Sequence, residues 1–170
     1  MPSEPPPSGR IALVVGEAEP LPPAYDVLGR QARLVGVPDP EALERTAAEL
    51  GAARLCVIAV GAGAEAALRL AAGRPELVER LVLVSPPELG GGAAAPGPPV
   101  LVVRGTADAA AGNPGRAAAE RPPGSSYALV YDAGPDVASD RPEAFAAVVG
   151  DFLEWADGFA VSHVSQALNP

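Results

Sequence analysis

The sequence predicts an α/β fold built on a doubly wound, mostly parallel six-stranded sheet with helices on its faces, and three observations predict it. Short Val, Leu and Ile runs alternate with longer Ala-rich stretches, the rhythm of strands buried on both faces and joined by crossover helices. The alternation is nearly one strand to one helix, and parallel neighbours need right-handed crossovers. At 170 residues, 48% hydrophobic and 19% charged, the chain is long enough to bury the core of one compact domain.

Residues 1–9, rich in proline, are expected to form a flexible N-terminal segment, residues 10–158 the domain and residues 159–170 a C-terminal tail. The first two strands are Ile11 to Val15 and Leu34 to Val37. Asp39-Pro40-Glu41 then reads as an N-cap with proline at the first helical position, followed by Leu43, Ala47 and Leu50 on one face and Gly51 as the stop. Leu55 to Val60 is the third strand, with Cys56 in the core. The nearly all-apolar stretch Ala62 to Ala72 fits a helix packed centrally on the sheet, where Glu65 and Arg69 can pair at i,i+4. Leu81 to Val84, Val100 to Val103 and Tyr127 to Tyr131 complete the strands. The last helix starts at Pro142 and puts Phe145, Val148, Val149, Phe152, Leu153 and Ala156 on one stripe. A Gly/Ala/Pro loop between Pro86 and Pro99 is expected to be mobile. In the tail, Phe159, Val161, Val164 and Leu168 are expected to cover a sheet edge or a neighbouring subunit.

Charge and residue counts exclude several classes of function. All 12 basic residues are arginine, and 21 acids leave a net charge of −9, which repels phosphate backbones and anionic lipid. No nucleic-acid or membrane partner is expected. The most apolar stretch is broken by Glu65 and Arg69, and the acidic, proline-rich N-terminus lacks the form of a secretion signal. A single Cys56 and a single His163 exclude an intrachain disulfide and a Cys/His zinc cluster. The cytoplasm is the expected location, with neither metal nor cofactor.

A site in such a sheet belongs at the carboxyl ends of the strands. The candidates there are Gly16-Glu17, Gly61 to Gly63, Ser85, Gly105 to Asp108 and Asp132 to Asp136. Gly61-Ala62-Gly63-Ala64-Glu65-Ala66 follows a strand and opens a helix, so it matches the form G-x-G-x-x-G/A of a dinucleotide turn. About twenty residues on, where an acid would hold the ribose, stands Ser85, and Glu65 sets a like charge near the phosphates. A nucleotide-binding, Rossmann-like module is therefore the second alternative reading.

From Leu55 to Pro87 the chain resembles the elbow strand, elbow helix and next strand of the α/β-hydrolase family. Pro99 to Asp108 looks like the strand and loop that carry the family's triad acid, and Asp132 to Glu143 like the loop of its histidine followed by the last helix. The resemblance covers most of the chain. Aligned on Ala67 to Pro75, it sets the family's G-x-S-x-G on Ala59 to Gly63, so the nucleophile position is Gly61. Counted back from Arg141-Pro142, the position of the base is Pro135. The acid position is Asp108, and oxyanion-hole-like N–H groups would come from Ala62 and Glu17.

Acyl transfer by this mechanism needs a hydroxyl, an imidazole and an orienting carboxylate, and Gly61 and Pro135 supply neither of the first two. Glu17 would also oppose an oxyanion. The resemblance thus implies a catalytically degenerate, capless member of the family, a pseudoenzyme with a binding or scaffolding role toward a small molecule or a protein, of unknown identity, at its open strand-end face. The alternative is an ester or thioester hydrolase with a relocated nucleophile such as Ser85, with His163 from the tail as its base.

Overall fold

The computed structural model describes residues 9–87, 97–108 and 125–155. Six strands, β1 (Ile11–Val15), β2 (Arg33–Val37), β3 (Leu55–Val60), β4 (Val78–Val84), β5 (Val100–Gly105) and β6 (Ser126–Val130), form one sheet in the order β2-β1-β3-β4-β5-β6. Every pair is parallel. The helices are α1 (Ala24–Leu28), α2 (Leu43–Leu50), α3 (Gly63–Gly73), α4 (Val137–Asp140) and α5 (Pro142–Trp155), and a 3-10 turn at Pro40–Ala42 leads into α2.

Successive strand residues point to opposite faces, and both faces are apolar. Ala12, Val14, Ile58, Val82, Val84 and Val103 pack against Tyr25 and Leu28 of α1 and Phe145, Val149 and Phe152 of α5. Leu13, Val15, Val57, Ala59, Leu81 and Leu83 pack against Leu43 and Ala47 of α2 and Ala64, Ala67 and Leu70 of α3. The alanines of α3 let that helix lie close on the middle of the sheet. Cys56 is fully buried in the first layer, and burial, followed by the charge of Glu79, pushes its thiol up to about 12.

Local signals end the elements where chemistry requires. The Asp39 carboxylate accepts the Glu41 N–H at 3.1 Å. Gly51 closes α2 in the left-handed region, at φ 60°. Glu65 and Arg69 meet at 3.4 Å on the exposed side of α3. Two helices are additions to the sequence reading: α1 and α4 have five and four residues, too few to show a 3.6-residue period. The tail and most of the loop between Pro86 and Pro99 lie outside the described residues. Among the described residues no helix is long and apolar enough to cross a membrane.

The strands end in register at one edge: Val15 stands beside Ala59, Val60 beside Val84, Val84 beside Val103, and Gly105 beside Val130. From β1 the chain runs outward to β2 and then returns to the other side of β1 to form β3. The crevice of such a sheet opens where the order reverses, between the ends of β1 and β3.

Turns at this edge meet backbone to backbone. A β-carbon added to Gly105 would overlap the carbonyl of Ala133, whereas one added to Gly61 would have nothing within 4 Å. Gly105→Ala is therefore expected to cost ~3 kcal/mol or more, because the β6–α4 loop must move away. Gly61→Ala is expected to cost only ~1 kcal/mol, from its left-handed backbone at φ 56°. Urea denaturation of the two variants checks the order, and equal midpoints would contradict it.

Candidate functional site

Gly61 is the middle of a tight strand–turn–helix: β3 ends at Val60, α3 begins at Gly63, and the left-handed φ of 56° at Gly61 turns the chain through the corner. A left-handed residue at the corner of a strand–turn–helix is also the setting of a nucleophile elbow, and here that residue is glycine. The Gly61 N–H donates to the Val84 carbonyl at 2.9 Å. The residue after Val84 is Ser85, itself left-handed at φ 46°, and its hydroxyl donates to the Pro135 carbonyl at 2.7 Å. Gly61, Ser85 and Pro135 thus stand in a row along the carboxyl edge.

Asp108 joins the same row. The Ala107 N–H donates to the Ala133 carbonyl at 2.9 Å, which ties the β5 turn to the loop holding Pro135. The Asp108 side chain is buried, with the Arg104 guanidinium 4.0 Å away. Arg104 in turn donates to the Pro86 carbonyl at 2.6 Å, so its positive charge links the acid to the Ser85 turn. The carboxylate has an arginine beside it, and the Ser85 hydroxyl has a backbone carbonyl in place of an imidazole. His163 lies outside the described residues.

On the other side of Gly61 is the end of β1. Gly16 approaches β3 so closely that a β-carbon there would stand 2.7 Å from the Val60 carbonyl. This sets Glu17 at the mouth of the crevice. The backbone N–H groups of Ala62 and Glu17 donate to no described residue, so both are open to an acceptor. The Glu17 carboxyl is raised above its ordinary value, by burial and then by the negative charge of Asp136.

Tyr25, which the sequence reading passed over, comes from α1. It is 1% exposed, its ring meets Phe145 edge-on at 5.4 Å, and its hydroxyl is buried without a hydrogen-bond partner. Burial, then Glu17, then Asp136 push its pKa up, so it stays neutral. The Pro22-Pro23 pair before Ala24-Tyr25 was the available signal, since proline favours a first helical turn. Among the described residues no cluster of acids, histidines and cysteines is arranged to hold a metal ion.

With this geometry in view, the class of protein follows from structural likeness: the chain has the α/β-hydrolase fold. It is similar to MGS-MChE2, an α/β-hydrolase enzyme from the metagenome of sediments of the lagoon of Mar Chica, Morocco. The TM-score is 0.72 at 12% identity, covering 87% of this chain and 92% of that one. The carboxylesterase CesB of Bacillus subtilis gives a TM-score of 0.65 at 16% identity, with 88% and 85% covered. A hydrolase of Pseudomonas aeruginosa gives 0.66 at 15%, with 87% and 91% covered. No protein-family model and no curated protein matches the chain.

Two stability effects follow from the acids and the tyrosine. Tyr25→Phe removes a buried hydroxyl that has no partner, and is expected to raise unfolding free energy by ~1 kcal/mol in urea titration. Between the ordinary glutamate value of 4.5 and its raised folded value, Glu17 keeps a proton in the folded chain that it releases on unfolding, so stability falls as pH rises through that window. Glu17→Gln is expected to melt above the wild type at pH 7, with the gap closing below pH 4.5. Parallel melting curves at all pH values would contradict this.

Proposed function

We propose that this protein is a catalytically degenerate α/β-hydrolase-like binding protein, in which the strand-end crevice holds a ligand without covalent chemistry. The observation that carries the reading is the elbow: the turn that would present a nucleophile is formed by Gly61, which has no side-chain atom. The reaction would need a hydroxyl to attack, a base to take its proton and return it, and a carboxylate to orient the base. Of the three matching positions, only Asp108 has a side chain of the required kind.

The surroundings support the same reading. An oxyanion near the N–H groups of Ala62 and Glu17 would face the Glu17 side chain, and an oxyanion hole gains its effect from donors and positive charge. Ser85 has a hydroxyl within the row, and its proton is directed at the Pro135 carbonyl, which cannot accept it permanently. What remains is a pair of backbone donors and a set of acidic oxygens at the strand ends, groups that orient a ligand.

A broad fluorophosphonate serine probe followed by peptide mapping tests this. No serine is expected to be labelled, and p-nitrophenyl ester turnover is expected to match that of Ser85→Ala. Labelling at any serine would overturn the reading. The complementary experiment restores the groups. Gly61→Ser with Pro135→His is expected to give weak fluorophosphonate labelling at position 61 that neither single variant shows, because hydroxyl and imidazole act as a unit.

A further inference from the structure

The sheet ends at β2, and the direction of that strand's backbone groups is fixed by its bonds to β1. The Arg33 N–H donates to the Arg10 carbonyl at 2.8 Å, and the Val37 carbonyl accepts the Gly16 N–H at 2.9 Å, so Arg33, Val35 and Val37 face β1. Leu34 and Gly36 therefore turn their N–H and carbonyl groups to the outer side. An edge of this kind is a template on which another strand can pair.

Three features close most of that row. The Gly36 N–H donates to the Glu19 Oε1 at 3.0 Å, so a side chain from the β1–α1 segment reaches across to the edge. Pro38, the next outward position, has no N–H to offer. Before the strand, the Ala32 N–H is already given to the Leu28 carbonyl at 3.1 Å. Glu19 is also pressed onto β2: a β-carbon on Gly36 would stand 3.1 Å from the Glu17 carbonyl oxygen and 3.3 Å from the Glu19 Oε1. The segment from Glu17 to Glu19 thus lies directly on Gly36.

The same groups define what this contact prevents. Two copies of β2 laid antiparallel about Val35 would set Leu34 of each against Gly36 of the other, with Val35 opposite Val35 between them. Hydrogen-bonded and non-bonded pairs alternate in such a ladder, so each Leu34–Gly36 pair would exchange both of its bonds, and the edge is self-complementary. Glu19 of each copy takes the Gly36 donor that the pairing needs and adds a carboxylate at the join. We propose that Glu19, through its bond to the Gly36 N–H, is a strap that keeps this sheet from joining edge to edge with a second copy of the chain. The strap acts at the side of the sheet, so the inference goes beyond the reading of the crevice and does not depend on it.

Sedimentation velocity of the full chain over a concentration series tests it, with amide hydrogen exchange to locate any contact. The wild type is expected to remain a monomer. Glu19→Ala is expected to dimerise at least ~10-fold more tightly, with the Leu34 and Gly36 amides gaining protection as concentration rises. Glu19→Ser, whose shorter side chain does not reach Gly36, is expected to do the same. Glu19→Gln keeps an amide oxygen for the Gly36 N–H and is expected to stay monomeric, and so is Glu49→Ala, which removes an equal charge from an exposed position on α2. Val35→Lys added to Glu19→Ala is expected to restore the monomer, because like charges would meet directly across the join. Circular dichroism reports that each variant is folded. Folded Glu19→Ala and Glu19→Ser that stay monomeric would overturn the proposal, as would a wild type that pairs along this edge. So would a dimer whose Leu34 and Gly36 amides exchange as they do in the monomer, a double variant that remains dimeric, or association of Glu19→Gln or Glu49→Ala equal to that of Glu19→Ala.

Discussion

Direct contact between the turns at the carboxyl edge is the constraint on which the rest of this structure depends. Five parallel strands finish in register there, and the segments leaving them must pass one another where side chains would not fit. Gly105 lies against the Ala133 carbonyl and Gly16 against that of Val60, so two loops and a strand end are held by main-chain packing. Hydrogen bonds from Gly61 to Val84 and from Ala107 to Ala133 fix the same surfaces laterally. The edge is consequently defined by backbone positions, and it keeps its shape whichever side chains it presents.

That independence fits an α/β-hydrolase fold shared with solved neighbours at only 12–16% identity. The sheet is held by Val, Leu, Ile and Ala packed on both faces, and neither layer needs a hydroxyl or an imidazole at the rim. Asp108 and Arg104 contribute in another way. Their charges lie in the interior between the Ser85 turn and the β5 turn, where a lone carboxylate would be costly.

Much of this was legible in the sequence, and what was not had physical reasons. β1 and β3 were readable to the residue, because strands covered on both faces are continuous apolar runs. β4 began three residues earlier than its apolar core suggested, since Glu79 and Arg80 interrupt the run: Val78 pairs with Leu55 and Arg80 with Cys56, and Glu79 falls at the register shift between them. The helix after Asp39 was readable from its cap, although its first turn is 3-10. α1 and α4 were not readable, because one helical turn has no periodicity. At the site, the strand–turn–helix at Gly61 was legible. Tyr25 was hidden because its environment comes from a tertiary arrangement: a helix too short to be seen packs its ring into the core against Phe145 and buries its hydroxyl without a partner.

Cys56 has a practical consequence of its own. It is the sole thiol, it sits in the second residue of a central strand, and it is inaccessible with its proton firmly held. No fraying of a loop or helix end uncovers it, since β1 and β4 flank it on both sides. Its rate of capture by a disulfide reagent would therefore act as a clock for whole-domain opening, without any label being introduced. Because the strand edge and the core share that sheet, the same clock would register how strongly any occupant of the crevice holds the entire domain shut.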